Sequence, residues 1–319
     1  MNSPSNIISY SFVVPVYNSG AWLPELVERT KKVMDGHNLS WEILLINDHS
    51  PDTNTWNVIV ELAEKYREVQ GIDLLYNVGQ FRTTLCGIEN AAGEFIVTMD
   101  DDLQHPPEEL PKLIEAMNKN PATDCIMGKY LSKKHGLMRN TGSYMMREVM
   151  NLLYSKPRHI VTTSFRIMPA SFAKSLCLYR IASPQLGPLI ITLSKKIKNV
   201  PVEHHERKRG KSGYGFFRCI KEGYQSLVNA SLLPLRLFSG LGLCTALIAF
   251  FISLFFFARW CMRGVGVAGF TSLILAVSFF SGMLLVGIGI IGEYVGRIIM
   301  EVTGLPRYHV KKIIGGNNE

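Results

Sequence analysis

Through the first half of the chain, apolar residues gather into short runs whose starts recur about every thirty residues. Residues 10–14, 42–46, 72–76 and 95–99 are apolar, rich in β-branched side chains, and bounded by polar or turn-forming residues. This is the pattern of strands buried on both faces. Between them, 21–34 carries apolar residues at helical spacing (Trp22, Leu26, Val33), and 53–66 and 83–92 read as helices. Strands alternating with helices at this spacing predict βαβ units and a mainly parallel, doubly wound α/β sheet. Further along, 109–118 predicts a helix, 125–128 a strand, 137–154 a helix, and 162–168 and 200–204 extended segments.

After Pro234 the pattern changes. Residues 239–258 form a stretch of 20 without a charge, and 270–291 one of 22. At about 1.5 Å per helical residue each covers the roughly 30 Å hydrocarbon core of a bilayer. They predict a transmembrane hairpin with both ends on one side. Just before it, 215–232 places Phe216, Phe217, Ile220, Tyr224, Leu227 and Val228 on one helical face with Arg218 and Lys221 off it. A basic helix with an aromatic apolar face predicts an interfacial position. The basic flanks 207–221 and 297–312 outweigh Arg259 and Arg263 in the connector, so both ends are expected in the cytosol. Gly287, Gly289 and Gly292 thin the second stretch and would permit close packing between subunits. The expected division is a cytosolic catalytic domain at 1–210, an interfacial region at 211–234, the hairpin at 235–298 and a cytosolic tail at 299–319.

The remaining composition narrows the class. Thirty-four Lys and Arg against 26 Asp and Glu give a formal charge of +8, which favours polyanionic partners. The basic residues cluster beside the membrane segment, so lipid and phosphate fit better than nucleic acid. Six scattered cysteines without metal-ligand spacing argue against a disulfide framework and suit a reducing compartment. The opening residues lack a basic n-region and a long apolar core, so no signal peptide is expected. No G-x-G-x-x-G follows the first strand and no P-loop sequence occurs.

The candidate chemistry sits where the strand at 95–99 stops at Asp100, Asp101 and Asp102. In an open α/β sheet, ligands lie beyond the carboxyl ends of the strands. Adjacent carboxylates there call for a cation, and oxygen-only ligands suit Mg²⁺ or Mn²⁺. In an extended segment residues i and i+2 face the same way, so Asp100 and Asp102 converge on one ion, Asp101 points elsewhere, and Gln104 continues the metal face. The competing reading is a solvated acidic loop ahead of a Pro-led helix. Pro15, Tyr17, Asp48 and Asn77 end the other strands and would line the same edge.

The full set is PVYN at 15–18, NDHSPD at 47–52, NVGQ at 77–80, DDDLQHPPE at 100–108, RKRGKSGY at 207–214, the apolar hairpin, and GEYVGRI at 292–298. It resembles the polyprenyl-phosphate glycosyltransferases of glycosyltransferase family 2, with the C-terminal motif most similar to the aminoarabinose branch. The resemblance implies a GT-A nucleotide-diphosphosugar fold and inverting transfer of a sugar from a nucleotide sugar to a polyprenyl (undecaprenyl) phosphate. The setting would be a bacterial inner membrane, with the hairpin offering a route to homo-oligomers and a flippase as a downstream partner. Carried over, Pro15, Tyr17, Ile46 and Asp48 would hold the nucleoside, with Asp100 and Asp101 completing the nucleotide site. Asp100, Asp102 and Gln104 would hold metal and diphosphate, and Arg207 with Lys211 would grip phosphate. Asp100, Asp102 and Arg207 would be the catalytic set. The chain departs from the family pattern at Asn47 (usually Asp), Ser19 (usually Glu), Asp101 (usually Ala) and Gly213 (usually Lys). The alternative is a non-catalytic membrane scaffold for envelope-glycan assembly. Nucleotide release from a sugar donor, stimulated by undecaprenyl phosphate and metal, separates the two.

Overall fold

The computed structural model describes residues 8–130, 160–179, 185–203, 269–302 and 306–316, with part of a helical stretch between 240 and 262. It divides into two units, one of 1–214 with 306–319 and one of 215–305. The expected helix at 137–154, the interfacial segment at 215–232, Arg207 and Lys211 lie outside the described residues.

The first unit is built on one sheet. Strands β1 (Tyr10–Val16), β2 (Trp41–Asn47), β3 (Val69–Leu74) and β4 (Phe95–Thr98) alternate with helices α1 (Leu23–Gly36), α2 (Thr53–Lys65) and α3 (Gln80–Asn90). After β4 come α4 (Leu110–Lys119), β5 (Cys125–Tyr130), β6 (Arg166–Pro169), α5 (Ala170–Leu176), α6 (Leu186–Leu193) and β7 (Ile197–Val202). The eighth strand is β8 (Val310–Gly315), and the order across the sheet is β7-β5-β6-β4-β1-β2-β3-β8. Strands β4, β1, β2 and β3 are mutually parallel, as is the β5–β7 pair; β6 and β8 run antiparallel to their neighbours.

The four N-terminal strands are apolar on both faces because both faces are covered. Phe12, Val14, Ile43, Leu45 and Val97 pack with α1, α2 and α4. Val13, Leu44, Ile46, Ile96 and Met127 pack on the other face with α3, α5 and α6. The chain builds outward from β1 through β2 to β3, then crosses back to place β4 on the other side of β1. The β1–β4 gap is therefore the topological switch point, where an open sheet leaves a crevice at its carboxyl edge.

Strand β3 begins three residues before the expected start at Ile72, because Gln70 and Gly71 interrupt the apolar pattern. Gly71 is needed there: a Cβ would sit 2.5 Å from Ile59 and 2.8 Å from Ile314. Residues set apart as a tail at 299–319 include β8, which belongs to the sheet. Its exposed Lys311, Lys312 and Ile313 lack a buried-strand pattern because β8 is an edge.

In the second unit the described helix α7 (Phe270–Val302) runs for 33 residues. Thr245 Oγ1, on the preceding helical stretch, lies 3.9 Å from Met283 Sδ. Leu273, Leu284, Leu285, Ile288 and Ile291 are exposed. Among the described residues, some of whose neighbours in α7 have undescribed side chains, no helix is long and apolar enough to cross a membrane, so the two expected spans are not established.

Candidate active site

The site is assembled from strand ends on the two sides of the switch point. β1 ends in a loop in which Asn18 adopts positive φ, which an Asn side chain tolerates. Tyr17 is half-exposed at the crevice and Pro15 partly so. Across the gap, the Asp101 carboxylate accepts the Tyr17 N–H at 3.3 Å and the Ser19 hydroxyl. Asp101 thus ties the loop after β4 to the loop after β1. Burial pushes its carboxyl up to about 6, against the lowering effect of those two donors.

Asp48, at the end of β2, is 4% exposed. Its two oxygens accept the N–H groups of Val78 at 2.7 Å and Gly79 at 2.9 Å. Gly79 has φ +84, where a side chain would be strained. Asp48 therefore holds the 77–79 turn in place. Ile46 is fully buried and packed under α3, so only its backbone is available to a ligand. Asn47 donates to Asp73 at 2.7 Å and accepts from the Ser50 hydroxyl at 2.6 Å.

The acidic segment is not extended: β4 ends at Thr98, and 101–105 is a series of bends in which Leu103 has positive φ. The alternation argument therefore does not apply here, and the three carboxylates have separate partners. Asp100 accepts from Gln80 Nε2 at 2.7 Å through one oxygen and from Ser164 Oγ at 2.5 Å through the other. Asp102 Oδ1 accepts the Gln104 N–H at 3.1 Å. Gln104 and Asp102 are partly exposed at the crevice.

These residues suit a shared metal site better than a protein cage. No group of three or more His, Cys, Asp or Glu side chains that could hold a metal occurs among the described residues. Mg²⁺ is commonly held by one or two carboxylates together with substrate phosphate oxygens. Asp100 and Asp102 at a crevice wall fit that arrangement, in which the donor's diphosphate supplies the remaining ligands.

Beneath the acidic segment lies a cluster that the sequence reading did not single out. His105 is 2% exposed, stacks on Phe165 at 5.3 Å and hydrogen-bonds Tyr130 through Nε2. Its Nδ1 is 3.7 Å from Asp100 Oδ2. Arg166 on β6 is buried, and its Nε and Nη1 have no hydrogen-bond partner among the described residues. Burial lowers its pKa, with the Cys125, Asp100 and Tyr130 charges opposing that shift. Ser164 and Asp73 were not singled out by the sequence either, and Gln80 entered only as the last residue of NVGQ, without its Asp100 contact: single polar residues beside apolar runs carry no periodic signal.

Comparison with known proteins gives the family and the fold. Residues 11–176, just over half of the chain, match the family described as glycosyl transferase family 2. An undecaprenyl-phosphate 4-deoxy-4-formamido-L-arabinose transferase from Pectobacterium atrosepticum is 33% identical, covering 97% of this chain and 94% of its own length. One of the same description from Shewanella sediminis is 31% identical over 99% and 96%. Among solved structures, glucosyl-3-phosphoglycerate synthase from Mycobacterium tuberculosis with Mn²⁺, UDP-glucose and phosphoglyceric acid superposes with a TM-score of 0.52. The identity there is 14%, covering 69% of this chain and 78% of the other. Mannosyl-3-phosphoglycerate synthase from Rubrobacter xylanophilus gives 0.52 at 16% identity, covering 72% and 74%. At such identities these two show the fold, a GT-A-like α/β sheet. With the sequence match running from β1 through α5 and carrying the whole crevice with it, the chain is a glycosyltransferase and belongs to glycosyltransferase family 2.

Proposed function

We propose that this protein moves one sugar from a nucleotide-sugar donor to a polyprenyl phosphate, undecaprenyl phosphate in the first instance, at the cytosolic face of a membrane. The observation that carries the donor half is that Asp100 and Asp102 follow β4 at the β1–β4 switch point, with Asp101 between them bonded to the loop after β1. The nucleoside would lie along Pro15, Tyr17 and the backbone at Ile46. The diphosphate would lie against Asp100, Asp102 and Gln104, with Mg²⁺ or Mn²⁺ between them. When bound, that metal supplies charge neutralisation for the departing diphosphate.

The acceptor half rests on the description shared by the curated relatives and on the apolar C-terminal region. A phosphate monoester has a second pKa of about 6 and is largely dianionic at pH 7. Its oxygen attacks the anomeric carbon as the bond to the donor diphosphate breaks, and no proton has to be removed. A single displacement inverts the anomeric centre. What remains for the protein is to hold two anions together, through proximity and fixed positive charge. Arg207 and Lys211 are the residues proposed for the acceptor phosphate.

Membrane insertion is supported by the two uncharged stretches in the sequence and by the connectivity. The chain leaves the sheet unit at Tyr214 and re-enters it at Pro306, so any crossings between them must be even in number.

The test is a screen of nucleotide sugars with undecaprenyl phosphate and Mn²⁺, reading nucleotide release and the glycolipid product, with a 4-deoxy-4-formamido-L-arabinose donor first. Acceptor-dependent release with one donor is expected. No release with any donor, from protein that binds neither nucleotide nor lipid phosphate, would leave the scaffold reading standing.

A further inference from the structure

Strand β8 follows the second unit in the chain and adds to the edge of β3. Its fit there is close. Ile314 occupies the space that Gly71 leaves by lacking a side chain, and Gly315, at φ +66, would meet the Val69 carbonyl at 2.5 Å if it carried a Cβ. Just ahead of β8, the Leu75 N–H donates to the His309 carbonyl at 2.9 Å, and Arg307 lies 3.4 Å from Glu89.

One side chain of β8 reaches a line of buried polar contacts. Lys311 Nζ is 3.2 Å from Asp73 Oδ2, and the Asp73 carboxylate is nearly inaccessible. The other Asp73 oxygen takes the Asn47 amide N–H at 2.7 Å. Asn47 Oδ1 in turn accepts both the hydroxyl and the N–H of Ser50, at 2.6 and 3.2 Å. Ser50 Oγ accepts the N–H of Asn18 at 3.0 Å, and Asn18 Oδ1 accepts the N–H of Asp52 at 3.3 Å. The line runs from the C-terminal strand, through the ends of β3 and β2, to the loop after β1. Asn47 must donate on one side and accept on the other, which an amide does and a carboxylate cannot. An aspartate there would set two carboxylates against each other, so the amide at 47 answers the acid at 73.

We propose that Lys311 and Asp73 are positioning residues for the donor site, so that docking of the C-terminal strand fixes the 15–18 and 47–52 loops. This rests on reading those loops as the nucleoside pocket. Neither residue touches the donor. Each sets the orientation of Asn47, which sets Ser50 and Asn18.

The experiment uses the full chain in detergent micelles, comparing wild type, Lys311→Met, Lys311→Arg and Asn47→Asp. Amide hydrogen exchange of nucleotide-free protein reads the network; donor and acceptor KM read its consequence. For Lys311→Met, faster exchange at Ser50 and Asn18 is expected with β5–β7 unchanged. Donor KM should rise about fivefold, the upper end for a half-exposed ion pair, with acceptor KM unchanged. Lys311→Arg should restore both readouts, and Asn47→Asp should exceed Lys311→Met in both. Unchanged exchange at 18 and 50 in Lys311→Met overturns the network. Faster exchange with an unchanged donor KM overturns its service to the donor site. Failure of the donor reading itself appears separately, as wild-type protein that shows the exchange coupling but is not saturated by any nucleotide sugar.

Discussion

Replacing Asp48 with Asn separates two roles for that carboxylate. If Asp48 serves only to contact the nucleoside, as the family resemblance implies, the variant loses donor affinity and keeps its stability. The structure gives it a second task. Asp48 is 4% exposed and its oxygens accept two backbone N–H groups, at 2.7 and 2.9 Å. An Asn of the same shape can accept only one of them and turns an N–H₂ towards the other. Two effects then add: loss of a charge-assisted hydrogen bond, and a buried donor left facing a donor. At about 1–3 kcal/mol for each such defect, the cost is about 2–6 kcal/mol. For a unit of about 200 residues each kcal/mol lowers Tm by about 2–4 °C, so a fall of at least about 4 °C, and up to about 24 °C, is expected. The 77–79 turn carries Gln80, which holds Asp100, so donor KM should rise together with the loss of stability. The assay is thermal unfolding of the detergent-solubilised full chain, followed through a tryptophan of the sheet unit, with donor kinetics on the same preparation. A Tm within about 1 °C of wild type would refute the buried-anchor argument, whatever happened to KM.

Asp102→Asn should abolish transfer while leaving Tm unchanged, and wild-type turnover under saturating Mn²⁺ would remove Asp102 from the metal site. Arg207→Ala should cut turnover by about thirty- to two-hundred-fold, as expected for a lost charge-assisted phosphate contact, with Arg207→Lys a poor substitute and Lys208→Ala nearly silent; uniform few-fold losses across the segment would leave only a basic surface patch. A cysteine introduced at Gly264 should label from outside in intact cells and one at Asn317 should not; the reverse pattern overturns the topology. The Asp101 carboxyl is raised by burial from its ordinary 3.8 to about 6. The folded state therefore holds that proton more tightly than the unfolded state, and this group's contribution to stability is greatest below pH 3.8, declines as pH rises to about 6, and is flat above. Metal-free, nucleotide-free Asp101→Asn should lack that decline, and an identical pH profile in the two proteins would count against it.

How much of this was readable in the sequence depends on whether a feature repeats. The first four strands and their helices could be found because burial on both faces makes each strand a continuous apolar run, and the acidic triplet stood out by interrupting one. β8 could not be found that way: it lies at an edge, is lysine-rich, and is separated from its partner β3 by more than two hundred residues that include the whole second unit. Helix α6 was hidden by Gly187-Pro188, which looks like a turn, yet Pro188 falls in the first turn, where a missing N–H costs nothing. The site shows the same limit. Asp48, Asp100 and Asp102 were legible as strand-end acids, but their partners were not. Gln80, Ser164 and the amides of Val78 and Gly79 matter only through distances set by the completed sheet. The departures at Asn47, Ser19 and Asp101 look like losses of family chemistry when counted one residue at a time. In the fold, Ser19 and Asp101 bond to each other across the switch point, and Asn47 bonds to Asp73. Each departure is thus one half of a contact whose other half lies on a different strand end. Substitutions that restored the family residue singly, such as Asn47→Asp or Asp101→Ala, would break a pair rather than repair a motif.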